Sequence, residues 1–545
     1  MICDLKINEQ AKKRYYDEGF WTADTIADVW NKQASQNAGK TFVTDDTGAS
    51  LTYGQIDEMS NAVAAWLADS GVNPGDVVTF QLPTWAEFCP IFIGIAKAGA
   101  VMHPVARNYS EDDLIYIMNK VQTRAFICPT YHHTTDHEKL ALECVDKVDS
   151  LVASRVLLVQ KNAQDPKTDM VTFEQLVKSG TSNFTAPKVS ADDVAVILST
   201  SGTTGKPKQA LLTHNNVLFS ERAFIGGLSL TSQDVMFMPS PLNHATGFFH
   251  GIISPILLGG ATILQQDFNA DAAIKLINEH HCTWSMGATP FIYDMIASMD
   301  RNGTSVPSLK LFLSGGAPLP GSLVSCAKVH GITLCECYGS TESCPHAYVP
   351  PEKCDEWNGD WSGITLDGIE IRIVDENRNP VAPGEQGEEA SRGPNVFVGY
   401  LNDPEQTDAV LDDDGWFYSG DLAYMDKEGR LRINGRKKEI IVRGGENIST
   451  REVDEACSAW PAIIDQATIG APDDRMGERI CLFAVCAPNS AKAPKLEDLL
   501  AFLKSRGVSK RLWPERLEMI DEIPRTATGK VQRFKLSEEL KRRMA

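Results

Sequence analysis

The sequence predicts an α/β protein built of more than one domain, and three observations lead to that class. The chain has 545 residues, of which 43% are apolar, more than one ordinary domain needs for its core. Between Leu51 and Leu334, apolar runs of strand length alternate with helical patterns. A stretch rich in turn signals follows at 369–433, and a new pattern of strands and helices starts after Gly435.

The alternating part has the order strand, helix, strand. Residues 77–82 predict a strand, residues 88–97 a helix and residues 100–104 the next strand. The same rhythm returns in further strands predicted at 194–198, 261–264, 282–284 and 309–313. Such repetition is typical of stacked α/β layers.

Residues 369–433 predict a β-rich subdomain. Short strands there alternate with the turn dipeptides Asn379-Pro380, Pro383-Gly384 and Asp414-Gly415. The basic segment Gly435-Arg-Lys-Lys438 follows the last of these strands. We therefore expect two domains, at 1–435 and 436–545.

The charge of the chain argues against one class of partner. A net charge of −20 opposes nonspecific nucleic-acid binding, which needs a positive surface. Residues 436–545 contain 21 Lys and Arg against 17 Asp and Glu, a balance of +4, which leaves −24 for the first 435 residues. A basic small domain fits polyanionic substrates, although such an imbalance also serves solubility alone.

The thirteen cysteines are an odd number without a C-x-x-C pair, so they predict neither a disulfide framework nor a zinc site. We expect reduced thiols and a cytoplasmic protein. The cysteines that lie nearest to one another in sequence are expected in buried apolar packing: Cys335, Cys337, Cys344 and Cys354.

Two segments bear on the membrane. The N-terminus becomes charged too early for a signal peptide. The apolar window 247–264 contains Pro255 and the pair Gly259-Gly260, so it predicts a buried helix, a turn and a strand rather than a membrane span. We expect no integral membrane segment, whereas peripheral membrane contact stays open.

A hydroxyl- and glycine-rich loop after the apolar run 194–198 predicts a site for a polyphosphate such as ATP. Glycines let backbone N–H groups approach phosphate oxygens, while hydroxyls donate hydrogen bonds and lysines supply charge. The spacing differs from the ordinary P-loop, because Pro207 stands where the magnesium-binding hydroxyl would be. By composition alone, a solvated connector is the alternative. The candidate residues are Thr200, Ser201, Gly202, Thr203, Thr204, Gly205, Lys206 and Lys208.

Three more segments follow in order: Tyr338-Gly-Ser-Thr-Glu342, Gly415-Trp-Phe-Tyr-Ser-Gly-Asp-Leu422 and Pro524-Arg-Thr-Ala-Thr-Gly-Lys530. Together with the phosphate loop, this set resembles the adenylate-forming superfamily, which includes acyl-CoA synthetases, adenylation domains of peptide synthetases and luciferases. The resemblance covers about 51–533. The segments 241–251, 287–291 and 443–447 are similar to those of short- to medium-chain fatty acyl-CoA synthetases.

The resemblance implies a large N-terminal α/β domain of three subdomains and a small mobile α+β domain at the C-terminus. It also implies ATP, Mg²⁺ and coenzyme A as the small molecules of the site. The carboxylate of an acid would first displace pyrophosphate from ATP, giving an acyl-adenylate, and the thiol of coenzyme A would then displace AMP.

The resemblance assigns expected roles around the nucleotide. Glu342 would hold magnesium, Thr341 would bind the α-phosphate and Asp421 would accept both ribose hydroxyls. In isolation Asp421 would be a turn acid. The other residues expected there are Gly316, Ala317 and Pro318 beside the adenine, Tyr338 stacked on it, Gly339 and Ser340 in the magnesium motif, and Arg436 at the ribose or phosphates.

In the small domain, the resemblance assigns Lys530 to the first step, where its ammonium would lie between the carboxylate and the α-phosphate. Lys438 matches the hinge about which the domain rotates. Gly444 and Gly445 match a loop that lines the pantetheine arm of coenzyme A. In isolation, these glycines and lysines would be ordinary turn and surface residues.

The acid is expected in a chamber gated by His244, with its floor near Phe248 and Met286. No cation or carboxylate stands among the chamber residues, which disfavours an amino-acid substrate. The expected chamber residues are Ala245, Thr246, Gly247, Phe248, Met286, Gly287, Ala288 and Thr289.

The sequence thus predicts an AMP-forming acyl-CoA synthetase for short- to medium-chain fatty acids. One alternative is a CoA ligase for a cyclic, aromatic or carnitine-like acid, since Trp284 leaves a cage for a quaternary amine open. A peptide-synthetase adenylation domain is less expected, because no carrier-domain pattern follows Arg533. A catalytically silent nucleotide-binding protein is disfavoured by the joint presence of Lys530, Glu342 and Asp421.

Overall fold

The structure of the protein is a computed structural model. It describes every residue except 1, 3, 4, 108, 162–165, 181–183, 201–206, 317, 318, 444, 445, 474, 489–493, 527–529 and 545, together with the side chains of Lys438 and Asn447. The chain divides into two units. The first comprises 1–370 and 391–417, and the second comprises 371–390 and 418–545.

The larger sheet of the first unit has nine strands. At its centre, Val235–Met238, Trp284–Gly287, Leu311–Gly315 and Thr333–Tyr338 are neighbours that run parallel. The carboxyl ends of these four strands therefore meet at one edge of the sheet. The full spatial order is Ile364–Thr365, Ala347–Tyr348, Thr333–Tyr338, Leu311–Gly315, Trp284–Gly287, Val235–Met238, Ala261–Leu264, Thr41–Asp45 and Ser50–Thr52.

The second sheet of this unit has seven strands, and the apolar residues of its inner strands are buried on both faces. Its edge is an antiparallel hairpin in which Thr200 pairs with Lys208. The spatial order is Lys208–Thr213, Val194–Thr200, Val101–Pro104, Val77–Phe80, Ala125–Pro129, Val156–Val159 and Val171–Thr172. A short hairpin joins Tyr131–His132 to Thr135–Asp136.

Helices cover these sheets. Tyr53–Asp69 begins at a capping box formed by Thr52 and Gln55, and it packs closely on Phe88–Lys97, where a Cβ on Gly94 would lie 2.6 Å from Val63 Cβ. The helices are Glu9–Asp17, Ile26–Asn37, Tyr53–Asp69, Phe88–Lys97, Glu111–Val121, His137–Lys147, Phe173–Ser179, His214–Gly227, Ser254–Leu258, Ala270–His280, Thr289–Asn302, Gly321–Val329 and Pro404–Val410, with a π-helix at Thr246–Ile253 and 3₁₀ turns at Ala153–Arg155 and Pro351–Lys353.

The predicted alternation of strands and helices is confirmed, with two strands displaced toward the C-terminus. The strand predicted at 309–313 lies at Leu311–Gly315. The strand predicted at 282–284 lies at Trp284–Gly287 instead. His281 adopts φ +51°, and the backbone N–H of Cys282 donates to the carbonyl of Ile277, so these residues still complete the preceding helix. The window 247–264 contains a helix, a turn and a strand as predicted, but its first part is a π-helix.

The second unit contains two sheets. A four-stranded sheet, in the order Glu370–Val374, Gly387–Arg392, Phe417–Met425 and Leu431–Arg436, occupies the stretch predicted to be β-rich. A five-stranded sheet contains Glu446–Ser449, Ile440–Arg443, Gly477–Cys486, Ile463–Asp473 and Arg516–Met519. The helices are Thr450–Cys457, Leu496–Ser505 and Arg533–Met544, with 3₁₀ turns at Lys437–Glu439 and Lys510–Leu512.

The domain boundary expected after Gly435 lies inside the second unit and remains a prediction. In the described part of the chain, every helix is too short or too polar to cross a membrane.

Candidate active site

The four parallel strands at the centre of the large sheet place the predicted chamber residues, Gly316 and the motif at 338–342 along one edge. His244 and Phe248 follow the first of these strands, Met286 to Thr289 end and follow the second, Gly316 follows the third, and Tyr338 to Glu342 end and follow the fourth. A Cβ on Gly315 would lie 3.5 Å from Met286 Cε and 3.3 Å from the carbonyl oxygen of Cys337, so the strand ends are in close contact. Ligands of open α/β sheets bind at such carboxyl edges.

The predicted phosphate loop joins two antiparallel strands rather than a strand and a helix. Thr200 ends one strand and Lys208 starts the next, while 201–206 lie outside the described residues. Within the hairpin, Gln209 Oε1 accepts from Ser199 Oγ at 3.0 Å and lies 3.2 Å from His103 Nε2. Burial lowers the pKa of His103 to about 3, so this imidazole is neutral.

Tyr400 links this hairpin to the predicted magnesium residue. Its hydroxyl donates to Glu342 Oε1 at 2.7 Å, and the ammonium of Lys208 lies 4.6 Å from the centre of its ring. The segment is held in place by the strand Lys208–Thr213, because the N–H of Leu401 donates to the carbonyl of Gln209. No motif marked Tyr400 in the sequence.

The motif after Thr333–Tyr338 is a tight turn. The hydroxyl of Ser340 accepts from the N–H of Ser343 at 3.1 Å, and a Cβ on Gly339 would lie 2.9 Å from Pro345 Cα. Thr341 and Glu342 are partly exposed in this turn. The ring of Tyr338 meets His346 edge to face at 4.8 Å.

At the predicted adenine position, Gly316 adopts φ +86°, a conformation that favours glycine. A Cβ added to Gly316 would meet no atom of the described residues within 4 Å. Ala317 and Pro318 lie outside the described residues. The role of this segment beside the adenine stays a prediction.

The predicted gate and one chamber wall form a continuous segment. His244 accepts a hydrogen bond at Nδ1 from the N–H of Thr246 (3.3 Å), and its carbonyl accepts from the N–H of Phe248 (2.9 Å). Gly247 cannot carry a side chain here, since a Cβ would lie 2.2 Å from the carbonyl oxygen of Pro241. Ala245 and Phe248 are buried.

The other predicted chamber residues lie on and after Trp284–Gly287. Met286 is 4% exposed, and a Cβ on Gly287 would lie 2.6 Å from the ring of Phe291. Ala288 is partly exposed, and Thr289 Oγ1 lies 3.1 Å from Ser314 Oγ on the neighbouring strand.

The structure adds a carboxylate to this region that no sequence motif marked. Glu221, on His214–Gly227, is fully buried, and its Oε2 lies 3.0 Å from Nδ1 of His250 in the π-helix. Burial raises the pKa of the thiols of Cys337 and Cys344, and the Glu221 carboxylate adds to both shifts. The helical spacing of Val217, Glu221 and Phe224 places this acid on an apolar face, which was the available signal.

In the second unit, the predicted ribose residues form a pair. Asp421 and Arg436 are opposite each other on adjacent antiparallel strands, and Arg436 Nε lies 2.8 Å from Asp421 Oδ1. Asp421 is 6% exposed, and its backbone N–H donates to Ser419 Oγ. The arginine thus orients a carboxylate that can accept hydroxyl hydrogen bonds.

The residues predicted for the hinge, the pantetheine loop and the first step are also in the second unit. Lys438 lies in the 3₁₀ turn Lys437–Glu439, whose first residue pairs with Glu388 at 3.0 Å. Gly444 and Gly445 fall outside the described residues, between the paired strands Ile440–Arg443 and Glu446–Ser449. Lys530 is exposed, and its backbone N–H donates to Thr526 Oγ1 at 3.1 Å.

The four neighbouring cysteines of the first unit are buried, as expected. The sulfurs of Cys335 and Cys354 lie 2.9 Å apart, and this contact together with burial raises the pKa of the Cys335 thiol. Among the described residues, no group of three or more His, Cys, Asp or Glu side chains is placed to hold a metal ion.

Known proteins share both the sequence and the fold. Residues 30–401 match the AMP-binding enzyme family, and residues 452–530 match the C-terminal domain of AMP-binding enzymes. The whole chain is 40% identical to the medium-chain fatty-acid–CoA ligase of Escherichia coli strain K12 and covers 95% of it. It is also 31% identical to a feruloyl-CoA synthase of an Amycolatopsis species, over 91% of this chain and 94% of that relative.

Two solved structures agree in fold. The ATP-bound MatB from Rhodopseudomonas palustris matches with a TM-score of 0.84 at 25% identity, over 94% of this chain and 99% of that one. The anthranilate CoA ligase AuaEII in complex with anthranoyl-AMP matches with a TM-score of 0.86 at 23% identity, over 96% and 98% of the two chains. The family match over 30–401 and the 40% identity over the whole chain show that the chain belongs to the adenylate-forming, AMP-binding enzyme family.

Proposed function

We propose that this enzyme is an AMP-forming acid–CoA ligase for short- to medium-chain fatty acids. The observation that carries the proposal is the convergence of the nucleotide motif and the apolar chamber segments at the carboxyl ends of four adjacent strands. Full-length identity of 40% to a medium-chain fatty-acid–CoA ligase supports the acid class.

The first step would join the acid to AMP. A carboxylate oxygen attacks the α-phosphorus of ATP, the bond to the β-phosphate oxygen breaks and pyrophosphate leaves with its electrons. Thr341 would donate to the α-phosphate, and Lys530 would offset the charge that builds on phosphorus. Asp421, oriented by Arg436, would accept the ribose hydroxyls.

The residues around Glu342 fit a magnesium ion. Mg²⁺ prefers hard oxygen ligands and retains water, so one partly exposed carboxylate beside the phosphates suffices. Tyr400 holds one oxygen of Glu342 and fixes the direction of the carboxylate. When bound there, magnesium would neutralise phosphate charge during the displacement of pyrophosphate.

The second step would transfer the acyl group to the thiol of coenzyme A. The thiolate attacks the acyl carbonyl carbon and AMP leaves with the oxygen that it shared with the acid. We assign Gly444 and Gly445 to the path of the pantetheine arm, and Lys438 to a hinge after a boundary at 435.

The basic balance of residues 436–545 supports a role beside polyanions. The unpaired state of the twelve described cysteines fits a cytoplasmic enzyme.

Aromatic acids form the second candidate class, because the chain is 31% identical to a feruloyl-CoA synthase. The test is ATP–pyrophosphate exchange with a panel from acetate to palmitate that also contains benzoate and ferulate. We expect the fastest exchange between butyrate and decanoate, and CoA-dependent release of AMP with the same acids. Exchange only with benzoate or ferulate would show that the enzyme activates aromatic acids instead. Exchange with no acid of the panel would reject both candidate functions.

A further inference from the structure

A buried carboxylate on the helix His214–Gly227 forms hydrogen bonds with the segment that is predicted to form one wall of the acyl chamber. Oε2 of Glu221 accepts hydrogen bonds from Nδ1 of His250, at 3.0 Å, and from the hydroxyl of Ser254. All three side chains are 3% exposed or less. Oε1 of Glu221 has no hydrogen-bond partner among the described residues.

Such a carboxylate is costly in this place. Transferring a carboxylate from water to a protein interior costs several kcal/mol unless hydrogen bonds replace its hydration, and one oxygen here lacks that compensation. Leucine would fill similar space on the apolar face of His214–Gly227 without this cost. The contribution of the acid must therefore come from its two hydrogen bonds through Oε2.

Both bonds reach the C-terminal part of the π-helix Thr246–Ile253 and the residue that follows it. π-helices are rare and frequently lie at functional sites. The ring of His250 packs on Phe224 at 4.5 Å, which adds a contact to the same helix. The other end of the segment is held by His244, whose carbonyl accepts from the N–H of Phe248.

We propose that Glu221 is a positioning residue that sets acyl-chain selectivity, acting through His250 and Ser254 on the π-helix. The wall residues between the two fastened ends, Gly247 and Phe248, then keep a fixed distance from the acyl chain. This inference rests on the proposed function, since it places the acid against Thr246–Ile253. Because both bonds end on Oε2, the feature that matters is a hydrogen-bond acceptor at that position, not a negative charge.

The test compares Glu221→Leu with Glu221→Gln in pyrophosphate exchange, using acids from butyrate to laurate. Leucine removes both bonds, so we expect a broader chain-length profile and a KM for the preferred acid about tenfold higher, with the KM for ATP within twofold. Glutamine can place its carbonyl oxygen where Oε2 lies, so it should keep the wild-type profile.

Two further variants keep the inference testable if the leucine variant does not fold. His250→Phe retains a ring against Phe224 but loses one bond, and Ser254→Ala loses the other. Each should broaden the profile partly, and their combination should match the leucine variant. Glu138→Leu is the matched control, because Glu138 is a 4% exposed acid that accepts from the N–H groups of Lys167 and Thr168 outside the chamber. The Glu138→Leu variant should be less stable than the wild type but should keep the wild-type chain-length profile.

The outcomes separate the two proposals. If the wild-type enzyme exchanges with fatty acids but the leucine variant and the combination keep its profile, Glu221 does not set selectivity. A glutamine variant that behaves like leucine would also overturn the inference, because charge would then be the decisive property. If the wild-type enzyme exchanges with no acid, the proposed function itself fails.

Discussion

The hydroxyl of Tyr400 donates a hydrogen bond of 2.7 Å to Oε1 of Glu342. The same ring carries the ammonium of Lys208 over its face at 4.6 Å. One tyrosine therefore positions the acid proposed for magnesium and a lysine at the end of the phosphate loop. Its two contacts differ in kind, one through the hydroxyl and one through the ring, so they can be separated by substitution.

Tyr400→Phe should weaken the use of magnesium and spare the contact with Lys208. Loss of a hydrogen bond to a charged group frees the Glu342 carboxylate to turn, so we expect about tenfold more Mg²⁺ for half-maximal pyrophosphate exchange. A magnesium titration measures this. Tyr16→Phe is the control, since it removes a bond of the same length to Asp192, a partly buried acid away from the predicted site. Equal magnesium curves for all three proteins would contradict the expectation.

Asp421→Asn should impair ATP binding through the ribose. An amide keeps the size of the carboxylate but offers one acceptor oxygen and loses the ion pair with Arg436, so the KM for ATP should rise about tenfold. The check compares 3′-deoxy-ATP with ATP. Loss of the hydroxyl should raise the nucleotide KM strongly in the wild-type enzyme and weakly in the variant. Equal penalties would show that Asp421 does not contact the ribose.

Lys530→Ala should abolish the first step and spare the second. Loss of a positioned charge costs about 10²–10³ in rate, whereas thioester formation from a supplied acyl-adenylate no longer needs that charge. Single-turnover assays of each step measure the split. Lys535→Ala, another exposed lysine of the same unit, should change neither. Gly445→Leu should give the reverse pattern, and equal loss of both steps in the Lys530 variant would refute the division of roles.

Met286→Gly should shift the preferred acid to longer chains. Removing this buried side chain lengthens the predicted chamber and costs about 2–5 kcal/mol of stability through the cavity that it leaves. The chain-length profile and the unfolding midpoint measure the two effects. Met236→Gly removes a buried methionine near the amino end of Val235–Met238, so it should cost stability alone. An unchanged profile in folded Met286→Gly would place the floor elsewhere.

The first unit should lose stability in acid through its buried histidines. Burial lowers the pKa of His214 to about 4, and its Nδ1 already accepts from the N–H of Ile26. The unfolded chain binds a proton on this imidazole below about pH 6.5, whereas the folded chain binds it only near pH 4. The free energy of unfolding is therefore unaffected by this residue above about pH 6.5, and it falls as the pH drops toward 4. The loss between pH 7 and pH 5 is about 2 kcal/mol for this residue.

Urea unfolding at pH 7 and pH 5 checks this expectation. His214→Asn should reduce the pH dependence, because asparagine can accept from the same N–H and does not titrate. His281→Asn at an exposed position with φ +51° is the control and should leave the dependence unchanged. If the wild type and both variants lose the same free energy of unfolding between pH 7 and pH 5, groups other than His214 cause the acid sensitivity.

The strand and helix pattern was accessible from sequence because apolar runs of characteristic length report burial, as at Phe88–Lys97, which is buried throughout and whose observed bounds equal the predicted ones. The strand at Trp284–Gly287 was displaced because a positive φ at His281 leaves no mark in hydrophobicity. The motif residues Glu342 and Asp421 were found as short local patterns. The spacing of Val217, Glu221 and Phe224 could have indicated that Glu221 is buried. The hydrogen-bond partners of Tyr400 and Glu221, however, lie far along the chain, and no local pattern records them.

The contact between Gly247 and Pro241 limits how this enzyme can be redesigned. A Cβ at 247 would meet a backbone oxygen at 2.2 Å, and backbone cannot swing aside as a flexible side chain can. A mutagenesis library for new acids should therefore keep that codon constant and randomise the codons for Met286 and Phe248. Variants selected from such a library would change the volume of the predicted chamber, while the main chain that forms its wall would keep its path.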